Sequence, residues 1–234
     1  MNCKSILITG GSRGIGKAIS DRLRAKIEFS EVYAPSSKEL DQSSEVSIKR
    51  FKEKSGLSDA KIYGLIINAG IHHSENFEDY SSEDWNRVLD VNLNGAFYTI
   101  KHFLRNLKLY QEQNEEAYPR IIISSSVSAY TGEQYAPAYA ASKAGLIALA
   151  KSLALEFAKY KITVNCVCPG WVKTDMALKQ MNGDSEIVKN HLGATLQDRW
   201  IEPEELAGTY LYLLSAEAKA ITGQQINVTA GLDL

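Results

Sequence analysis

The chain of 234 residues is 44% hydrophobic and 23% charged, a composition typical of one globular domain with a substantial core. Its formal net charge of −2 at pH 7 gives no basic surface for nucleic acid or for an anionic membrane, and we expect neither as a partner. No stretch approaches the roughly 18 uninterrupted apolar residues of a membrane helix, and the N-terminal run MNCKSILITGG predicts a strand rather than a signal peptide.

Three cysteines are too few for a disulfide framework and favour a reducing, cytoplasmic compartment. Two of them, Cys166 and Cys168, lie in the alternating run KITVNCVCPG, whose period of two would place both side chains on one face of a sheet. The sequence offers no second ligand pair for a metal. We therefore expect buried strand cysteines and no metal site.

Strand patterns alternate with helix patterns along the whole chain. The predicted elements are, in order, a strand KSILIT, a helix over 14–26, a strand EVYAPS, a brief extended piece and a helix in ELDQSSEVSIKRFKEK, a strand KIYGLIIN, one long helix in SSEDWNRVLDVNLNGAFYTIKHFLRNL, a strand RIIISSS, the helix PAYAASKAGLIALAKSLA, a strand ITVNCVC, a helix from Pro203 to Leu214 and a strand QQINVT. We expect Ser43 or Ser44 to cap the second helix and Ser81 or Ser82 the third.

This alternation predicts an α/β fold. Unbroken apolar strands separated by helices form a parallel sheet that is covered on both faces. Right-handed crossovers then give a Rossmann-type, doubly wound parallel sheet in three layers, α/β/α, as a single domain over 1–234. The polar segment Met176–Trp200 is long for a connection in such a domain, and we expect a substrate lid around 176–200.

Small and polar residues end several of the predicted strands. LITGGSRGIG places Gly10 after the first strand and lets Gly14 and Gly16 open a helix, an arrangement that presents backbone N–H groups to a phosphate. The spacing Gly-x-x-x-Gly-x-Gly differs from the common dinucleotide fingerprint, and a plain tight turn is the alternative. INAG ends the fourth predicted strand, SSS the fifth and CPGWVKT the sixth. All lie at the sheet edge where doubly wound folds bind ligands.

The alanine-rich helix carries two chemically active residues. Tyr139 and Lys143 are four residues apart and share one helix face. An ordinary tyrosine has a pKa near ~10, and a nearby ammonium favours phenolate, so Lys143 should lower the pKa of Tyr139 toward neutral pH. A chance surface pair is the alternative interpretation.

Taken together, the motifs resemble the short-chain dehydrogenase/reductase family over essentially the whole chain, and in particular its 3-oxoacyl-carrier-protein reductase-like members. The resemblance rests on TGGSRGIG, NAG, Tyr139-x-x-x-Lys143 and the Pro169-Gly170…Thr174 segment. It implies an NADP(H)-dependent oxidoreductase that reduces a ketone to a secondary alcohol, or the reverse, by hydride transfer. The catalytic residues that it implies are Asn92, Ser126, Tyr139 and Lys143.

The resemblance also implies a role for each of the four. Tyr139 would be the general acid in reduction and the general base in oxidation. Lys143 would lower its pKa and bond the nicotinamide ribose. Ser126 would hold the substrate oxygen, and Asn92 would anchor a water in a proton relay. The neighbouring serines are expected to make local hydrogen bonds: Ser124, Ser125 and Ser128.

The cofactor residues implied in the same way lie in the glycine turn, after the second strand, in NAG, on the Tyr139 helix and in the PG segment. They are Gly10, Ser12, Arg13, Gly14, Ile15, Gly16, Ser36, Ser37, Lys38, Asp41, Asn68, Ala69, Gly70, Tyr139, Lys143, Pro169, Gly170, Val172 and Thr174. Arg13 and Lys38 favour the 2′-phosphate of NADP(H). Glu39 reaching the ribose is the route by which NAD(H) would be used, and Asp41 would contact the adenine.

Several alternatives stay open. His72 and His73 follow NAG, and we expect an exposed loop pair, with a substrate-facing histidine as the alternative. The segment IHHSENFEDYSSEDW lacks the R-D-x-L typical of 3-oxoacyl-carrier-protein reductases, so the small-molecule carbonyl or alcohol substrate could equally be a sugar, steroid or secondary-metabolite ketone. A non-catalytic NADP(H)-sensing protein, an NAD-dependent alcohol or sugar dehydrogenase and a sugar-nucleotide epimerase are the competing functions.

We also expect a homo-oligomer, a tetramer or a dimer. The predicted helices Trp85–Leu107 and Tyr139–Tyr160 carry apolar residues on more than one face. One contact with the sheet cannot cover them all, which implies a second copy of the chain.

Overall fold

A parallel sheet forms the centre of the molecule. The computed structural model describes residues 4–181, 189 and 192–232, and within these residues six strands pair in the order β2-β1-β3-β4-β5-β6, each pair parallel. The strands are β1 (Ser5–Ile8), β2 (Glu31–Tyr33), β3 (Gly64–Ile67), β4 (Arg120–Ser124), β5 (Thr163–Pro169) and β6 (Gln225–Val228). Every residue of β3, β4 and β5 is buried, as expected for strands that helices cover on both faces.

Helices lie on both sides of this sheet. They are α1 (Gly14–Arg24), α2 (Glu45–Lys54), α3 (Ser82–Leu89), α4 (Gly95–Glu112), α5 (Ser128–Thr131), α6 (Pro137–Phe157), α7 (Asp175–Gln180) and α8 (Pro203–Leu214). One apolar cluster joins the sheet to α2, α4 and α6, and the other joins it to α1 and α8. The predicted three-layer, doubly wound fold is confirmed. In the described part of the chain no helix has the length and apolar character needed to cross a membrane.

Two sequence predictions about caps and strand faces are also confirmed. The hydroxyl of Ser44 accepts from the N–H of Ser47, and Ser81 caps α3 in the same way. Cys166 and Cys168 both belong to the cluster on the α2, α4 and α6 side, so the two thiols share one sheet face.

The extended piece predicted between β2 and α2 is not a strand, so the strand that ends in NAG is the third and not the fourth. The segment forms two consecutive turns instead, each held by an acidic side chain. Glu39 accepts from the backbone N–H and the hydroxyl of Ser36, both at 2.8 Å, and Asp41 accepts from Ser43. Such local side-chain bonds compete with strand pairing.

The long helix predicted over 81–107 is interrupted. Five residues, Asp90–Asn94, form a π-helical turn between α3 and α4. The wider turn leaves the Val91 carbonyl to an outside donor, the buried side-chain amide of Gln42, at 3.1 Å. π-turns are rare within helices, but those that occur are often found at functional sites. This one carries Asn92.

The predicted lid is described in part. Its first residues form α7, and 192–200 continue the chain beyond it. Residues 182–188, 190 and 191 lie outside the described residues, so the lid over 176–200 stays a prediction.

Candidate active site

The carboxyl ends of β1 and β3 are held together by two polar side chains. The buried hydroxyl of Thr9 accepts from the backbone N–H of Asn68 at 3.0 Å and of Ala69 at 3.1 Å. The Asn68 amide donates to the carbonyls of Thr9 and Gly10, both at 3.2 Å. The NAG motif is therefore fixed directly beside the glycine turn, as the sheet topology predicted.

The backbone of the turn between β1 and α1 requires glycine. Gly10 and Gly14 have φ of +64° and +51°, in the left-handed region, and a Cβ on Gly16 would lie 2.3 Å from the Gly10 carbonyl oxygen. The N-cap residue of α1, Arg13, makes no side-chain cap. The N–H groups of the first helical turn, which includes Ile15, therefore have no capping side chain, and such a terminus binds anions.

The PG segment, which begins at the end of β5, contacts the glycine turn. Pro169 ends the strand, Gly170 follows it, and Val172 is buried in a short bridge. Thr174 then caps α7, and its methyl group would lie 3.3 Å from a Cβ on Gly14. The structure thus brings the first and the last of the predicted cofactor motifs into contact.

The residues expected to bind the adenosine end of the cofactor lie at the surface of the protein. Ser37 and Lys38 are exposed in the turn after β2, and Ser12 and Arg13 are exposed in the glycine turn. Ser36, in contrast, has both its hydroxyl and its N–H bound to the Glu39 carboxylate, as described above. Asp41 lies exposed in the next turn with its carboxylate on Ser43.

Tyr139 and Lys143 share one face of α6, as their spacing predicted. The Lys143 Nζ lies 5.4 Å from the centroid of the Tyr139 ring and donates to the Ser124 carbonyl at 2.8 Å. The Lys143 residue is 4% exposed. Burial disfavours the charged ammonium and lowers the pKa of Lys143 to about 8.

The expectation that Lys143 lowers the pKa of Tyr139 is wrong for this state of the protein. Burial, which disfavours phenolate, raises the pKa of Tyr139, and the carboxylate of Glu133 raises it further. The hydrogen bond from Ser126 acts in the opposite direction but is the smaller effect. Tyr139 is therefore a neutral phenol at physiological pH, with its hydroxyl against that of Ser126.

Asn92 projects from the π-turn into the same site. It is fully buried, and its amide donates to the Ile71 carbonyl and to the Ser142 hydroxyl, both at 3.0 Å. Its oxygen accepts from the Ile71 N–H at 2.8 Å. A Cβ on Gly70 would lie 3.3 Å from that oxygen and 3.5 Å from the Lys143 Nζ. Asn92 therefore clamps the loop after β3 onto α6.

His72 is not the exposed loop residue that the sequence indicated. Its side chain is 6% exposed, its ring centroid lies 4.8 Å from that of Tyr139, and its Nε2 bonds Glu133 Oε1 at 2.7 Å. His73 faces outward instead, with Nε2 3.7 Å from an Asp84 carboxylate oxygen. The expectation of an exposed loop pair is therefore wrong for His72, and the alternative of a substrate-facing histidine stays a prediction.

The serines around Ser126 make the local bonds that were expected. Ser124 pairs with the Tyr210 hydroxyl at 2.7 Å, and Ser125 donates to the Lys143 carbonyl at 2.8 Å. Ser128 lies 3.0 Å from Ser126, hydroxyl to hydroxyl.

Known proteins are similar to this chain in sequence and in fold. The profile of a family described as "Enoyl-(Acyl carrier protein) reductase" matches residues 16–233. The 3-oxoacyl-[acyl-carrier-protein] reductase of Aggregatibacter actinomycetemcomitans is 37% identical, over 98% of this chain and 99% of the relative, and the acetoacetyl-CoA reductase of a Synechocystis strain is 33% identical, over 96% and 94%. The chain belongs to the short-chain dehydrogenase/reductase family. It is an oxidoreductase that acts on CH–OH and C=O groups.

Solved structures agree with this assignment to the short-chain dehydrogenases/reductases. RhlG of Pseudomonas aeruginosa, in a complex with NADP at its active site, superposes with a TM-score of 0.85 at 27% identity, covering 99% of this chain and 96% of that one. The uncapped start of α1 and the bare Gly70, next to the Lys143 amine, leave the space and the donors that a dinucleotide needs.

Three side chains that order the site of this dehydrogenase/reductase were missed in the sequence. Gln42 supports the π-turn, Ser142 links Asn92 to α6, and Glu133 holds His72. Only Glu133 gave a signal that could have been used, since it is an acidic residue inside the stretch between Ser126 and Tyr139. The described residues hold no group of three or more His, Cys, Asp or Glu side chains arranged for a metal.

Proposed function

We propose that the protein is an NADP(H)-dependent reductase of 3-oxoacyl thioesters. The observation that carries the proposal is the placement of the Tyr139 phenol, the Ser126 hydroxyl and the buried Lys143 amine in one site. The two relatives named above are reductases of 3-oxoacyl groups on two different thioester carriers. What they share is a ketone two carbons from a thioester, and we take this as the substrate class.

In this proposal the nicotinamide of the bound cofactor supplies the hydride. As negative charge develops on the ketone oxygen, Tyr139 gives it a proton and Ser126 donates a hydrogen bond to it. Because burial keeps the phenol protonated at neutral pH, Tyr139 suits the role of acid in reduction. Its place in the first turn of α6 adds the positive end of the helix dipole, which favours the phenolate left behind.

Lys143 and Asn92 would serve the cofactor side of the site. The Lys143 amine lies beside Gly70, where it would bond the nicotinamide ribose, and its charge would stabilise the Tyr139 phenolate once the proton has left. Asn92 would keep the loop after β3 in place, since its amide already bonds both sides of that contact. The water-anchoring role implied by the family stays a prediction.

The preference for NADP(H) is a second part of the proposal. Two exposed cations, Arg13 and Lys38, are available for a 2′-phosphate. The bond between Ser36 and Glu39 works against it, because it uses donors that a phosphate would need and keeps a carboxylate nearby. This contact is the feature that would permit NAD(H).

The homo-oligomer stays a prediction as well. Phe97 on α4 and Leu155 on α6 are 47% and 84% exposed. They are the apolar side chains on the two predicted helices that a second copy of the chain would cover.

The test compares substrates that differ in the thioester. Initial rates of NADPH oxidation are measured with 3-oxobutanoyl-CoA, with butanone and with a keto sugar, and repeated with NADH. We expect kcat/KM for the thioester to exceed that for butanone by about 100-fold or more, and NADPH to be preferred roughly 30- to 150-fold. Equal kcat/KM for the thioester and butanone would contradict the substrate class, and faster reaction with NADH would contradict the cofactor preference.

A further inference from the structure

A hydrogen-bonded chain of side chains runs from Ser126, beside Tyr139, to a carboxylate outside the four family residues. Ser126 lies near enough to the Tyr139 hydroxyl to influence its pKa, and its Oγ lies 3.0 Å from that of Ser128. Ser128 donates its hydroxyl proton to Glu133 Oε2 at 2.6 Å. The other carboxylate oxygen, Oε1, bonds His72 Nε2 at 2.7 Å. Both oxygens of Glu133 are therefore engaged, one by Ser128 and one by His72.

Which group donates in each of these hydrogen bonds follows from the Glu133 carboxylate at the end of the chain of side chains. An ionised carboxylate only accepts, so Ser128 must donate to Glu133, and His72 must carry its proton on Nε2. In the substrate-free protein Ser128 Oγ is then left as an acceptor for the Ser126 proton, which a bound ketone oxygen would take over, while the Ser128 backbone N–H donates to Ser126 Oγ at 3.2 Å. The position of the Ser126 oxygen thus depends on Ser128, and that of Ser128 depends on Glu133.

The other carboxylate oxygen of Glu133 acts on the tyrosine ring through His72. His72 belongs to the loop after β3, and its ring lies against Tyr139 at 4.8 Å between centroids. The same loop is joined to the segment before α6 by the Glu75 N–H, which donates to the Tyr135 carbonyl at 2.9 Å. The His72 side chain, 6% exposed, makes both the ring contact and the bond to Glu133 in a single orientation.

We propose that Glu133 is a positioning residue for the reduction, which sets the Ser126 hydroxyl through Ser128 and the Tyr139 ring through His72. The inference rests on the proposed function of Tyr139 and Ser126 as the groups that touch the ketone oxygen. Its effect belongs to the chemical step, because Glu133 reaches the reacting atoms through Ser128 and His72, the partners of its two carboxylate oxygens among the described residues. Misplacing a catalytic group by about 1 Å costs on the order of 100-fold in rate.

Two substitutions separate the hydrogen bonds of Glu133 from its bulk. Glu133→Leu keeps similar bulk but removes both bonds. Glu133→Gln keeps both, since its amide oxygen accepts from Ser128 and its amide N–H donates to His72 in the other tautomer. A matched control is Glu116→Leu, which removes an exposed carboxylate in the segment before β4. All variants are first checked for thermal unfolding and for their cofactor Kd by tryptophan fluorescence.

We expect Glu133→Leu to lower kcat on the order of 10- to 100-fold, with KM and the cofactor Kd within about threefold of wild type. Glu133→Gln should retain kcat within about threefold, and Glu116→Leu should match wild type. Glu133→Leu with kcat within twofold of wild type would overturn the inference. So would a kcat for Glu133→Gln as low as that for Glu133→Leu, because the hydrogen bonds would then be irrelevant.

A pH profile adds a readout that loss of packing would not move. The charged or titratable groups facing Tyr139 are Glu133 and His72 from the two loops, Lys143 on α6 and Cys168 at the end of β5. Glu133 raises the pKa of Tyr139, so Glu133→Gln should move the alkaline limb of kcat to lower pH. An unmoved limb would contradict an effect of the Glu133 charge on Tyr139, whereas the positioning role is contradicted by an unchanged kcat in Glu133→Leu. A wild-type enzyme inactive on every ketone would instead contradict the proposed function, which keeps the two failures apart.

Discussion

Lys143 illustrates at the residue scale how a group needed for chemistry destabilises the fold. The residue is 4% exposed, its ammonium bonds the Ser124 carbonyl, and burial lowers its pKa to about 8 from an ordinary 10.5. A shift of this size corresponds to about 3 kcal/mol of unfavourable free energy for the charged form. Below pH 8 the folded protein carries this cost in full. Between pH 8 and 10.5 the unfolded chain binds more protons, so the stability of the folded state rises with pH.

We therefore predict that Lys143→Met stabilises the cofactor-free protein at pH 7 by roughly 2 kcal/mol, after subtraction of about 1 kcal/mol for the lost hydrogen bond. The gain should shrink when the pH is raised from 7 to 9.5. Urea unfolding at the two pH values measures it, and Lys151→Met, an exposed lysine of the same helix, is the control. A Met variant less stable than wild type at pH 7 would show that the buried amine is not unfavourable.

The residues that could be predicted are those within one regular element. Tyr139 and Lys143 lie four apart on a helix, so their shared face follows from helical geometry. The contact of His72 with Glu133 joins two loops that are 61 residues apart, and no local pattern specifies it. The pKa of Tyr139 was predicted in the wrong direction for a related reason, because burial and a carboxylate from another segment, neither visible in the local pattern, raise it.

At the scale of elements, the π-turn is held in place by α6. Gly145 on α6 faces Leu93 of the turn, and a Cβ there would lie 2.9 Å from a Leu93 methyl group. The apolar pattern over 81–107 continues smoothly through the turn, so the sequence predicted one helix. The break depends on tertiary contacts, namely the buried Gln42 amide on one side and the bare Gly145 on the other.

We predict that Gly145→Val destabilises the protein by about 2 kcal/mol through overpacking against Leu93. The double variant with Leu93→Ala should be more stable than the sum of the two single effects by at least about 1 kcal/mol. Gly208→Val in α8 is the control, because the atom near its Cβ position is the end of the flexible Arg22 side chain at 3.4 Å. Additive effects of the two changes in chemical denaturation would contradict the contact.

At the scale of the whole molecule, the parallel sheet determines where the chemistry lies. The glycine turn, NAG, the serines and the PG segment follow β1, β3, β4 and β5, and all four strands end at one edge. This convergence was predictable, because it needs only strand order and direction. The segment after β2 was not, since its carboxylates form local turns instead of a strand.

The most direct test of the account is the kcat of Tyr139→Phe, measured with NADPH and 3-oxobutanoyl-CoA beside the cofactor Kd of the same variant. Phenylalanine keeps the ring against His72 but has no proton to give to the ketone oxygen. We predict a fall in kcat on the order of 100-fold or more, with a Kd for NADPH within about threefold of wild type. A variant that binds NADPH normally and retains more than about a tenth of the wild-type kcat would contradict the assignment of Tyr139 as the proton donor.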